Sequence, residues 1–160
     1  MTAEGRSADS VPWSGEAGAR RLFALVRDAC VGGEDLPARL EAGLRVALEM
    51  LAADPELAHL LTVQTYLDRE AGALDAQRDW FGRFGRLLRE AAESDPRASR
   101  QPSFLAPFLI GGVRFQIARR VLAGEGSDLL RLLPVTLEGL LAYYFEPGEP
   151  RALARAALDG

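Results

Sequence analysis

His59 is the only imidazole in this 160-residue chain and Cys30 the only thiol. The residue types behind most metal and nucleophile chemistry therefore occur once each. A zinc site takes three or four His, Cys or carboxylate ligands, and His59 has no second His and no nearby Cys to join it. Asp54 and Glu56 precede it but already have helix-start roles: Asp54 caps, Pro55 suits the first helical position, and Glu56 favours the first turn. His59 reads as a surface or helix-packing residue, and no metal is expected. Cys30 excludes an intrachain disulfide and fits a reducing cytosol. There is no phosphate-cradling glycine loop, no HExxH and no carboxylate pair at a convincing spacing. Glu41, Glu49, Asp68, Glu70 and Asp79 read as solvated helix faces. An enzyme needs a positioned base, nucleophile, metal or cofactor loop; none is legible, and no enzymatic activity and no cofactor are expected.

The chemistry left is the capture of an apolar molecule. Trp80-Phe81-Gly82-Arg83-Phe84-Gly85 is the best pocket candidate. Phe81 and Phe84 point inward, with Trp80 or Arg83 nearer an edge. A helical glycine costs about 1 kcal/mol relative to alanine, so two of them three apart call for a reason. Either they let another helix approach closely, or they leave room beside the rings for a ligand. Gln64, Thr65 and Tyr66 put polar tips beside apolar positions, as a pocket for an amphiphile requires. Met50 would be an adaptable wall residue. The candidate ligand contacts are thus Met50, Tyr66, Trp80, Phe81, Phe84 and Phe108.

Helices must position these residues. Leu22, Val26 and Ala29 share one side of a helix from Ser14 to about Val31, stopped by Gly32-Gly33. Leu36, Leu40, Leu44, Leu48 and Leu51 repeat at spacings of four and three, an amphipathic helix. A third begins at Asp54-Pro55. A fourth runs from about Leu74 to Glu93, before a loop over 94–103. Residues 1–13 read as a flexible polar tail and not a signal peptide. Pro150–Leu158 can form a short helix within a terminal segment, 147–160. No segment alternates like a strand, so the fold class is all-α, a bundle of about six helices.

Residues 104–122 and 127–146 are apolar around most of their circumference. Such helices bury more than one face, and the surplus predicts a second subunit packed helix against helix, a homodimer. Gly111-Gly112 suits a close helix crossing there, or else a kink opening space for ligand. Arg114 either binds an acidic ligand group or pairs with Glu138 or a partner's carboxylate. Every one of the 19 basic residues is arginine, scattered along the chain, and the net charge is -4. That argues against a dedicated nucleic-acid surface. No apolar run is long enough to cross a bilayer, so the expected location is the cytoplasm, with no membrane partner.

Several motifs in this order resemble the C-terminal domain of TetR-like bacterial transcriptional regulators. They are Ala52-Ala-Asp-Pro-Glu-Leu-Ala-His-Leu-Leu61, Gly111-Gly112-Val113, Ala118-Arg-Arg-Val-Leu-Ala-Gly-Glu-Gly-Ser-Asp-Leu-Leu130, and Leu132-Leu-Pro-Val-Thr-Leu137. The similarity spans roughly residues 16–146. It implies that residues 14–146 form a ligand-binding and dimerisation domain, with 36–93 lining the cavity. The last two long helices would form a four-helix dimer interface through Gly111, Gly112, Phe115, Leu133, Leu137, Leu141 and Tyr144. The effector implied is a small apolar or amphiphilic molecule. The family's helix-turn-helix should precede residue 16, and fifteen residues at a rise of about 1.5 Å cannot supply three helices. Direct nucleic-acid binding by this chain is therefore not expected. The competing expectation is a structural module that pairs without a functional pocket.

Overall fold

The computed structural model describes residues 14–67 and 71–160. The predicted tail over 1–13 and the predicted solvated Asp68 and Glu70 lie outside the described residues. All regular structure among the described residues is helical. None of these helices is long and apolar enough to cross a membrane.

Helix α1 (Glu16–Val31) turns Ala19, Leu22, Val26 and Cys30 inward and starts at Gly15 without a side-chain cap. Helix α2 (Leu36–Ala53) is capped by Asp35, whose carboxylate accepts from the Ala38 N–H at 3.0 Å. Gly33 in the intervening turn has no room for a side chain, since a Cβ there would lie 2.6 Å from the Arg39 nitrogen. Asp54 caps α3 (Pro55–His59) by accepting from the Leu57 N–H at 3.0 Å. The helix then widens into a π-helical segment (Leu60–Gln64) before α4 (Thr65–Leu67). Thr62 and Thr65 donate their hydroxyl protons to the carbonyls of Ala58 and Leu61, four residues back, a pattern that bends helices.

Helix α5 (Ala71–Glu93) leads into the 94–103 loop, which is pinned at both ends. Buried Asp95 accepts from the Leu36 N–H at 3.0 Å and from the side chain of Arg97, which also reaches Asp35 at 2.8 Å. Ser99 and Gln101 donate to the carbonyls of Tyr144 and Tyr143, free at a helix end. Helix α6 (Leu105–Leu122) follows, and Gly124 turns the chain at φ +76°.

The predicted long helix over 127–146 is shorter than expected. A 3-10 segment (Gly126–Leu132) precedes α7 (Leu133–Leu141), and Pro134 falls in the first turn of α7. Proline lacks the N–H that an interior position must donate and clashes with the preceding turn. The helix restarts there instead of running through. Helix α8 (Glu149–Asp159) packs on α7 and α2 and buries Ala154, so the C-terminal segment belongs to the core.

The core has two clusters. One joins α1, the end of α2, the start of α5 and the end of α6. The other joins the start of α2, the end of α5, the start of α6, α7 and α8. Leu44 and Val113 pack against both.

Candidate functional site

At the seam between the two clusters the helices leave a cavity of about 120 Å³, faced by α1, α2, the π-helical segment, α5 and α6, with Leu140 of α7. Its walls are hydrocarbon apart from Cys30, Thr62 and Arg114. The Cys30 S–H points to the Arg39 carbonyl at 3.3 Å, and burial pushes the thiol up from its ordinary pKa despite the opposing charge of Arg39. Thr62 spends its proton on Ala58 at 2.6 Å. Neither group has a donor left for a guest.

Arg114 differs. Its guanidinium carbon lies 3.8 Å from the Phe81 ring centroid and 4.5 Å from that of Tyr66. One terminal N–H donates to the Thr65 hydroxyl, while the Nε–H is buried with no hydrogen-bond partner. No carboxylate among the described residues forms an ion pair with it. The predicted pairing with Glu138 does not form, because Glu138 accepts from Arg151 at 3.3 Å. Burial pulls the Arg114 pKa below its usual value, with Tyr66 opposing, yet a guanidinium stays charged. Arg114 is a cation held between two rings at the wall of an apolar hole.

Phe81 and Phe84 line the cavity, and four other candidate ligand contacts do not. Tyr66 is largely exposed and meets the site only through Arg114. Met50 packs against the first core cluster. Trp80 is buried, not at an edge, with Phe23 edge-on at 6.5 Å and the Arg83 guanidinium 4.1 Å above its ring. Successive helical side chains diverge by roughly 100°, so Trp80 leaves the wall where Phe81 joins it. Phe108 lies on the outer face of α6, 67% exposed. Gly85 serves close packing: a Cβ there would lie 3.2 Å from the Pro107 backbone. His59 is exposed in a shallow depression with Gln64, and no cluster of metal-ligating side chains exists among the described residues.

The proposed interface residues divide. Leu133, Leu137, Leu141 and Tyr144 are at most 3% exposed, Leu133 consumed by the first core cluster and the other three by the second. They offer no surface to a partner: α7 spends its most apolar face internally and turns Val135 outward, and Tyr143 is exposed in the turn that follows it. Phe115 and Gly112 are exposed on α6 and Gly111 is partly so; a Cβ at either glycine would meet nothing within 4 Å.

Sequence reasoning weighed Arg114 but left it out of the pocket. The signal was its spacing, four residues after Ile110 and three before Ile117, both in the cavity wall. A charge on an inward stripe is the mark of a polar group placed in a pocket. No protein-family model, curated protein or solved structure significantly matches this chain, so the chemistry of the site carries the functional reading.

Proposed function

We propose that this chain is the effector-binding and dimerisation domain of a TetR-type bacterial transcriptional regulator, taking a small apolar or amphiphilic molecule into the cavity at the core seam. The observation that carries the reading is the cavity itself. A hydrocarbon-walled space of about 120 Å³ inside so small a core forfeits packing, which a guest of matching size restores. Occupancy would favour whichever arrangement of the surrounding helices fits the guest better. Gly18 of α1 lies directly under the Leu57 side chain of α3. A shift of α3 would be felt along α1 through that contact, the coupling an effector domain needs.

Titrating the intact protein with toluene tests the cavity. The expected result is a rise in melting temperature that saturates, and no rise at the solubility limit sinks the effector reading. A second reading, an interaction module without a functional guest, is favoured by the outer face of α6. Phe104, Phe108, Phe115 and Leu122 are each more than half exposed there, and the last three recur every seven residues, the period of a helix seam. Light scattering is expected to give twice the 17.3 kDa protomer mass; a monomer at micromolar concentration removes dimerisation from both readings.

A further inference from the structure

The effector reading leaves the guest's chemistry open, and the wall of the cavity narrows it. Hydrocarbon faces the hole from every side: Leu22 of α1, Leu44 of α2, Leu61 of the π-helical segment, Phe84 of α5, Ile110 of α6 and Leu140 of α7. Among the described lining residues, Cys30, Thr62 and Arg114 carry a side-chain heteroatom, and almost none of the surface turned to the hole is polar. The Cys30 S–H and the Thr62 O–H are spent on the carbonyls of Arg39 and Ala58. Arg114 directs its charge past the hole. One terminal N–H donates to the Thr65 hydroxyl, and the guanidinium lies over Tyr66, which is 55% exposed. Neither Thr65 nor Tyr66 lines the cavity. Long cationic side chains lay their methylene stems along apolar surface in this way and carry the charged head beyond it.

Resting on the effector reading above, we propose that the cavity takes an uncharged hydrocarbon of about one ring, with no hydrogen-bonding group. The wall sets the polarity. A buried water needs roughly two to four polar partners, and a wall of this kind does not supply them. An apolar guest therefore enters without having to displace bound water. A guest's hydroxyl or carboxylate meets the same wall that a water meets. It leaves its hydration behind and finds no partner, so an amphiphile is disfavoured against a plain hydrocarbon of the same shape. The volume sets the size. At about 120 Å³ it approaches the roughly 150 Å³ of an engineered cavity, lined by Leu, Ile and Phe, that takes up benzene.

The test is calorimetric titration of the intact protein, and of Ala47→Leu, with toluene, phenol and benzoate. Toluene and phenol share a shape and differ by a methyl for a hydroxyl. Wild type is expected to bind toluene, with phenol weaker by roughly 5- to 100-fold, the effect of burying an unpaired hydroxyl. Benzoate, which must bury a charge, should be weaker still. Ala47 lines the cavity, and a leucine there occupies the guest's space. Ala47→Leu should therefore lose at least about tenfold in toluene affinity. If wild type binds toluene but takes phenol or benzoate as tightly, the hydrocarbon assignment fails and the effector reading stands. If toluene does not bind, both fail together. Toluene affinity unchanged in folded Ala47→Leu also overturns the assignment, because the guest then sits outside this cavity. Should Ala47→Leu not fold, the wild-type comparison of the three guests decides.

Discussion

Two ionic side chains are drawn into this small core, and they are treated differently. Asp95 is fully served: burial alone would push its carboxyl up, but the Leu36 N–H, the Arg97 side chain and the Arg97 N–H outweigh burial and hold it below the usual carboxylate range. Arg114 has one hydroxyl and an orphaned N–H. Full satisfaction marks Asp95 as a structural clasp. The clasp makes a pH prediction. An unfolded aspartate titrates near about 3.9, so the stability Asp95 contributes is complete above that value. It is lost as pH falls through the lower folded pKa. Asp95→Asn is expected to cost about 2–3 kcal/mol at neutral pH. In urea titrations the gap from wild type should narrow below about pH 4; a gap constant from pH 7 to 3 would show that packing, not charge, is what Asp95 supplies.

Among the elements, α6 works on two sides. Its inner stripe builds the cavity wall and its outer stripe exposes Phe104, Phe108, Phe115 and Leu122 around Gly111-Gly112. If the outer stripe is the dimer seam, Phe108→Arg with Phe115→Arg should weaken association at least about 30-fold, since a central aromatic contributes about 2 kcal/mol or more to an interface. The melting temperature of the isolated protomer should barely move, because both rings are solvated in it. Unchanged mass by light scattering would place the interface elsewhere. Leucine spacing made the main helices legible, as did Asp54-Pro55 and Gly32-Gly33. The choice of face on α7 was not, because an almost wholly apolar helix has no polar side to orient it. Leu137 and Val135 look alike in sequence, yet one is fully buried and the other 62% exposed. The π-helical segment was also hidden, since no residue type in Leu60–Gln64 demands the extra width.

For the whole molecule, the cavity is a property of how two clusters meet. Phe81 and Phe84 announce themselves as inward aromatics, but the gap beside them arises where α1, α2 and the π-helical segment fail to close against α5 and α6. Periodicity specifies the faces of separate helices and carries no information on the volume left among five of them. Arg114 escaped for the same reason, its neighbours Thr65 and Phe81 being contributed by other helices.

One member of that wall gives the protein an internal clock. Cys30 is the sole thiol of the chain, 8% exposed and facing the seam, so a water-soluble disulfide reagent reaches it only when the helices part. Its raised pKa slows the reaction further by keeping thiolate scarce. In the folded protein, labelling should run at least about 100-fold below the rate in denaturant, set by the population of locally opened molecules. Saturating toluene should slow it again. Reaction as fast as in denaturant would mean that the two clusters part freely. The same absorbance trace, repeated across a set of candidate guests, would rank their occupancy with no mutation.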